Sequence, residues 1–254
     1  MNNSLIVIPT YNELENISRM IGEIFSLYPE ANILVVDDQS PDGTAAEVKK
    51  LKEQFPANLF IEERPGKQGL GTAYIKGFKW AIERNYEYIF EMDADFSHPP
   101  QDLQRLYNAC FFDGYDVAIG SRYVKGGDVK NWPTERVLMS YYASIYVRMI
   151  TWMPVRDTTA GFICYRRKVL ETMDLDKIQF VGYAFQIEMK FAAWKLGFKI
   201  IEVPITFTDR LEGNSKMSKG IFSEAASGVL KMKWRSLFAS YKKIGKMEIK
   251  TVAK

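Results

Sequence analysis

An α/β fold, with a mostly parallel sheet flanked by helices, is the architecture this sequence predicts, and three observations lead to it. Short apolar runs alternate with stretches of helical period through the first half of the chain. At 254 residues and 47% hydrophobic content, the chain has ample material for one sizeable core. Loops carrying Asp, Pro and Gly follow the apolar runs, at the carboxyl ends of strands where open α/β sheets bind ligands.

Leu5 to Ile8 is a strand stopped by Pro9. Glu13 to Leu27 carries Leu14, Ile17, Met20, Ile21, Ile24 and Phe25 at helical spacing. Asn32 to Val36 is a buried strand ending in Asp37-Asp38, and Thr44 to Phe55 is a helix that starts near Asp42 and Gly43. Leu59 to Glu62 is a strand, followed by a helix over Thr72 to Glu83 entered through Gly69-Leu70-Gly71. Tyr86 to Met92 is a strand and Pro100 to Phe112 a helix. The second half is less regular: strands over Asp116–Ser121, Thr159–Tyr165 and Lys199–Val203, and helices over Arg136–Met153 and Ala184–Leu196. No repeat or linker divides the chain. The expected organisation is one α/β domain over 1–220 with a basic amphipathic appendage over 221–254.

Charge is unevenly placed. From Lys231 to Lys254 there are eight Lys or Arg against Glu248, net +7, so with a total of +3 the remainder carries −4. A basic tail on an acidic body suits a polyanionic surface, either lipid headgroups or nucleic acid. No nucleic-acid-binding motif accompanies it, so a membrane surface is the expected partner and nucleic acid is not. Cys110 and Cys164 are too few and too far apart for a metal or disulfide framework and read as buried small hydrophobes in a reducing compartment. The N-terminus has no secretory signal. Val137 to Met153, broken by Arg148 and stopped by Pro154, falls short of the ~20 apolar residues of a membrane span. The expected location is cytoplasmic, peripheral on a membrane's cytoplasmic face.

The strongest chemical signal is Asp93-Ala94-Asp95-Phe96-Ser97-His98-Pro99-Pro100 at a strand exit. Two carboxylates one residue apart suit a hard divalent cation such as Mg2+ or Mn2+ shared with substrate phosphates. Asp, Ser and Pro are also ordinary turn residues. Asp38, at a strand end, is the candidate base or ribose contact, while Asp42 serves as a helix cap. Lys67-Gln68-Gly69-Leu70-Gly71 lacks the spacing of a phosphate loop and reads as a packing turn. Arg122, Arg136 and Ser140 could together hold a phosphate, Arg136 and Ser140 sharing one helix face. The polar loop from Thr208 to Lys216 adds Arg210 and Lys216 and suits a lid over a diphosphate. His98, the only histidine, reads as loop support. Gln186 and Glu188 sit two apart on a helix and face different ways; Glu188 is the candidate for the crevice. Ser/His/Asp catalysis has no support.

Assembled in order, Ile8-Pro9-Thr10-Tyr11-Asn12-Glu13, Val35-Val36-Asp37-Asp38, Asp93-Ala94-Asp95 and Gly120-Ser121-Arg122-Tyr123 resemble a GT-A (Rossmann-like) glycosyltransferase of family 2. Asp38-Gln39-Ser40-Pro41-Asp42-Gly43-Thr44, Gly69 to Tyr74, Phe96 to Pro100, Ala160 to Arg167 and Gly182 to Glu188 resemble the polyprenol (dolichol) phosphate mannose synthases. The likeness runs from about residue 4 to about residue 220. It implies inverting transfer of mannose from GDP-mannose to a polyprenyl phosphate. By that likeness Pro9, Tyr11, Glu13, Val36 and Asp38 contact the nucleotide. Asp93, Ala94 and Asp95 meet the sugar diphosphate and its metal, with Asp95 the direct ligand and Ser97 where some relatives have a ligating Gln. Arg210 and Lys216 neutralise the diphosphate, and Arg122, Arg136 and Ser140 hold the acceptor phosphate. Asp95, Arg122, Arg210 and Lys216 are thus the expected catalytic residues. At Ala184 some relatives carry a basic residue, and transmembrane hairpins like those of many relatives are not expected here.

The acceptor phosphate is already anionic near neutral pH, so the implied reaction needs no dedicated base. Helices around Val137–Met153 and Val229–Tyr241 could lie at a bilayer interface, with burial in the core an equal alternative for the first. Competing readings are a UDP-glucose-dependent polyprenyl-phosphate glucosyltransferase, a family 2 transferase to another acceptor, a nucleotidyltransferase and a non-catalytic nucleotide-sugar sensor.

Overall fold

The computed structural model of the chain describes residues 1, 3–182, 184–209 and 220–243, without the side chains of 220–226. The first half follows the expected alternation: β1 (Ser4–Thr10), α1 (Leu14–Leu27), β2 (Asn32–Asp37), α2 (Thr44–Gln54), β3 (Leu59–Glu63), α3 (Leu70–Glu83) and β4 (Tyr88–Glu91). A 3-10 turn at Pro100–Asp102 leads into α4 (Leu103–Phe111), where one continuous helix from Pro100 was expected, and β5 (Val117–Ser121) follows. Then come β6 (Asp128–Lys130), α5 (Thr134–Thr151), β7 (Ile163–Arg166), α6 (Arg167–Thr172), α7 (Ala184–Lys195), β8 (Ile200–Pro204), β9 (Thr206–Thr208) and α8 (Gly220–Arg235).

Seven strands form one sheet in the order β3-β2-β1-β4-β7-β5-β8, with β6 and β9 paired separately. The expected strand over Thr159–Tyr165 starts only at Ile163, and it runs antiparallel to both β4 and β5. All other pairs in the large sheet are parallel. The carboxyl ends of β1, β2, β4 and β5 therefore open on one edge. The elements with no sequence expectation, β6, β9 and α6, are three to six residues long, too short to display a period.

Alternation along the strands fills both faces. In β1, Leu5 and Val7 join the core under α3 and α7, while Ile6 and Ile8 join the one under α1, α2 and α4. Close helix–sheet approach depends on Gly77 of α3: a Cβ there would stand 2.4 Å from Val7 Cγ1, a stiff β-branched neighbour on β1, inside the sheet. Gly77→Ala gains helix propensity of about 1 kcal/mol, but overpacking outweighs it, so a net loss of roughly 1–2 kcal/mol is expected in urea denaturation. Unchanged or increased stability would contradict that packing.

At the other end of the chain, Val229 and Met232 of α8 and Tyr241 beyond it are buried in the core shared with α3 and α7. Lys233 Nζ donates to the carbonyl of Thr151 at 3.2 Å. No helix among the described residues is long and apolar enough to cross a membrane.

Candidate active site

The loops after β1 and β2 are tied together by carboxylates. Asp37, fully buried, accepts from Thr10 Oγ1 at 2.8 Å and from Ser40 N and Oγ at 2.9 and 2.6 Å. Asp42 accepts from Thr44 N at 3.0 Å and Leu14 N at 3.1 Å, so it satisfies orphan amides at the starts of both α2 and α1. Asp38 is held by a partner that sequence reading missed. Arg64, itself buried, reaches it through Nε at 2.7 Å and Nη2 at 2.5 Å, and Gln68 N donates at 3.2 Å. The only local hint of Arg64 is a cation following Glu62-Glu63. Pro9, Tyr11 and Glu13 are partly exposed along this edge, with the Lys67 ammonium 4.8 Å from the Tyr11 ring centroid. Val36 is fully buried and its side chain belongs to the core, so only its backbone can border a ligand.

Beyond β4 the backbone turns sharply, with Phe96 at φ 62°. A left-handed bulky residue is uncommon and is retained where surroundings impose it. Tyr74 Oη donates to Asp93 Oδ1 at 3.1 Å, and Asp93 N donates to His98 Nδ1 at 3.1 Å. Burial and then the neighbouring Asp93 carboxylate push the Tyr74 hydroxyl well above its usual range, which keeps it a donor. Burial lowers the His98 pKa despite Asp93 and Asp95, and a ring nitrogen that accepts an amide proton is unprotonated. His98 is thus the loop support that its sequence context indicates. Asp95 Oδ1 accepts from Ser97 N at 3.1 Å and Ser97 Oγ at 2.6 Å, so the Ser97 hydroxyl orients Asp95. Ala94 between the two acids is buried.

This donor set fits a hard divalent cation: two carboxylates, each with one oxygen anchored by a donor, and a hydroxyl. Among the described residues no group of three or more His, Cys, Asp or Glu could hold a metal by itself. The rest of a coordination shell would fall to substrate oxygens and water, the usual arrangement for Mg2+ beside phosphates.

A cavity of about 490 Å³ opens in front of Asp93, Asp95 and Ser97, and Arg122, Arg136 and Ser140 line it as well. Arg122 is buried and forked onto Asp157, with Nε to Oδ2 at 2.7 Å and Nη2 to Oδ1 at 2.6 Å, while Nη2 also reaches Thr159 Oγ1 at 2.8 Å. The rings of Tyr123, Trp132 and Phe207 surround its guanidinium at 5.1–5.4 Å. Arg136 stacks on the same Trp132 at 4.0 Å and pairs with Asp209 at 3.1 Å. Sequence reading found both arginines and neither aspartate, because Asp157 and Asp209 are brought in by the fold from 35 and 73 residues away. Another wall is apolar: Leu70, Met139, Tyr142, Tyr146, Ile187 and Val229.

Helix α7 corrects one expectation. Glu188 is fully buried away from the cavity, where it accepts from Gln179 N at 2.8 Å and Phe180 N at 3.0 Å and pairs with Arg235. Gln186 is the residue that lines the cavity. Below it lies a buried pair: burial raises the Glu91 carboxyl to about 8 and lowers the Lys190 ammonium to about 8. The Gly69–Gly71 segment is a packing turn, since a Cβ on Gly71 would stand 2.6 Å from the Phe185 ring. Arg210 and Lys216 lie outside the described residues.

Comparison with known proteins adds to this geometry. The family described as Glycosyl transferase family 2 matches residues 5–174. A polyprenol monophosphomannose synthase of Mycolicibacterium smegmatis is 47% identical over 222 residues, covering 87% of this chain and 83% of that protein. An undecaprenyl-phosphate mannosyltransferase of Micrococcus luteus is 44% identical over 239 residues, covering 92% and 97%. Among solved structures, glucosyl-3-phosphoglycerate synthase from Mycobacterium tuberculosis, in complex with Mn2+, UDP and glucosyl-3-phosphoglycerate, aligns with a TM-score of 0.64. It is 15% identical and the alignment covers 90% of this chain and 77% of that one, a likeness of fold.

Proposed function

The chain belongs to glycosyl transferase family 2, and from that premise we propose that it transfers mannose from GDP-mannose to a polyprenyl phosphate with inversion. The observation that carries this reading is the makeup of one cavity: anchored carboxylates on one side, two arginines and Ser140 on another, and an apolar wall between α5, α7 and α8. An acceptor with a phosphate head and a hydrocarbon chain matches those surfaces, and the names of the two relatives point to the same substrate class.

In this reading Asp93 and Asp95 would hold Mg2+ or Mn2+, which when bound supplies charge neutralisation to the departing diphosphate. Pro9, Tyr11, Glu13 and Asp38 border the nucleotide, with Arg64 fixing the orientation of Asp38. Arg122 and Arg136 align the acceptor phosphate. Its oxygen attacks the anomeric carbon from the face opposite the diphosphate, in one displacement. No proton has to leave the nucleophile, which agrees with a neutral His98 whose Nδ1 is already engaged. Arg210 and Lys216 complete the proposed neutralisation of the leaving group.

The proposed location is the cytoplasmic face of a membrane. Tyr142, Met149 and Trp152 at α5 and Leu230, Trp234 and Phe238 at α8 are exposed apolar side chains, and Lys233 lies 4.3 Å from the Trp152 ring. Interfacial helices combine these residue types. The double substitution Trp234→Ser, Phe238→Ser is expected to weaken co-sedimentation with anionic vesicles by about tenfold or more. Equal binding would remove this face from the membrane contact.

The direct test incubates the protein, Mn2+ and polyprenyl phosphate with radiolabelled GDP-mannose or UDP-glucose and counts label in the lipid phase. Lipid label from GDP-mannose alone supports the proposal. Label from UDP-glucose alone makes the protein the glucosyl enzyme, and no lipid label with nucleotide still bound points to another acceptor or a sensor.

A further inference from the structure

Gln186 combines three properties that are rarely found together by accident. It is 3% exposed, it lines the cavity, and its Oε1 has no hydrogen-bond partner among the described residues. A buried acceptor left unsatisfied costs about 1–3 kcal/mol, so such groups call for an explanation in what they bind.

The orientation of the carboxamide is set from below. Its Nε2 donates to Glu91 Oε2 at 2.5 Å, which turns the amide oxygen away from Glu91. Lys190, fully buried, donates from Nζ to Gln186 O at 2.9 Å and to Ala160 O at 2.5 Å. That ammonium ties the first turn of α7 to the Ala160 backbone, which also lines the cavity. Gly161 borders both groups: a Cβ there would be in ordinary contact with Gln186 Nε2 at 3.4 Å and His98 Cε1 at 3.7 Å. His98 in turn holds the backbone of Asp93. The Gln186 amide therefore lies near His98, in the same cavity that Asp93 and Asp95 line.

We propose that Gln186 is a sugar-reading residue, whose Oε1 accepts a hydrogen bond from one hydroxyl of the transferred hexose while Glu91 and Lys190 hold the amide in that orientation. The inference deepens the mannosyltransferase reading and rests on it. A site built to hydrogen-bond a substrate hydroxyl discriminates strongly against the analogue lacking it, because its own polar group is then left unpaired.

The test measures kcat/KM for GDP-mannose and for its 2-, 3-, 4- and 6-deoxymannose counterparts, with wild type and Gln186→Met, alongside calorimetric binding of GDP. Wild type is expected to reject one deoxy donor far more than the other three. Gln186→Met should lose ~10–100-fold with GDP-mannose, lose almost nothing further with that one deoxy donor, and bind GDP as before. Because removing the amide leaves Glu91 without its donor, Glu91→Gln serves as a second variant. It preserves volume but lets either amide orientation find a partner, so the selective rejection should shrink while the melting temperature holds. A wild-type deoxy pattern retained in both variants would assign Oε1 to a water or a structural role and overturn the sugar-reading proposal alone. Failure of wild type to use GDP-mannose at all would overturn the function reading, and this inference with it.

Discussion

Asp95→Ala is expected to lower lipid labelling by at least ~10³-fold while leaving the circular dichroism spectrum unchanged. Asp95 is buried at the cavity edge, and Ser97 N and Oγ lock one of its oxygens at 3.1 and 2.6 Å. Its loss takes away a carboxylate from a donor set that has no third acid among the described residues. The structural cost is small, since the Ser97 partners it abandons sit beside an open cavity and can turn to water. Mn2+ binding in the presence of GDP, followed by the free-ion electron spin resonance signal, gives a readout independent of turnover and should disappear with it. Ser97→Ala should cost far less, about tenfold, because that hydroxyl acts on the carboxylate's orientation. Wild-type labelling by Asp95→Ala would remove it from the proposed metal site.

The second large effect concerns stability. Asp157→Asn keeps the side-chain shape but leaves the Arg122 guanidinium buried among Tyr123, Trp132 and Phe207 without its counter-charge. Breaking one half of a buried pair costs about 3–5 kcal/mol, which in a chain of this size lowers Tm by roughly 6–20 °C. Burial alone would raise the Asp157 carboxyl, but the Arg122 charge and hydrogen bonds outweigh it and hold the group below its usual range. A carboxyl with a depressed folded pKa stabilises the fold at pH values above its unfolded pKa. That contribution is lost as pH falls through the lower folded value. The gap in stability between wild type and Asp157→Asn should therefore be full at neutral pH and close in acid. A gap that persists unchanged to pH 2 would mean the charge of Asp157 is not its source.

These two sites differ in how visible they were before the fold was known. Asp93 and Asp95 could be found because both ligands of one chemistry sit two positions apart in a string, directly behind an apolar run. Arg122, Arg136 and Ser140 were recognisable as phosphate-binding types at strand and helix positions. Their partners were not, since Asp157 and Asp209 have no local pattern and meet the arginines only across the sheet edge. Asp38 shows the same limit: an acid at a strand end was legible, while the Arg64 that clamps it was not. On α7, spacing alone separated Gln186 from Glu188 but could not say which of the two faced the cavity, and the wrong one was chosen.

Alternating apolar runs and helical periods were sufficient for an α/β architecture, because burial of one face follows from side-chain spacing within a single element. The ordered strings from Pro9 to Glu188 were sufficient for the family, because they encode turns and side chains that neighbouring residues hold in place. Strand direction, pairing order and ionic partnership required the folded chain. The antiparallel insertion of β7 between β4 and β5, the fork of Arg122 on Asp157 and the fixed amide of Gln186 over Glu91 are all contacts between residues 35 to 95 positions apart. Their free energy depends on a shared low-dielectric interior that exists only after the core has formed.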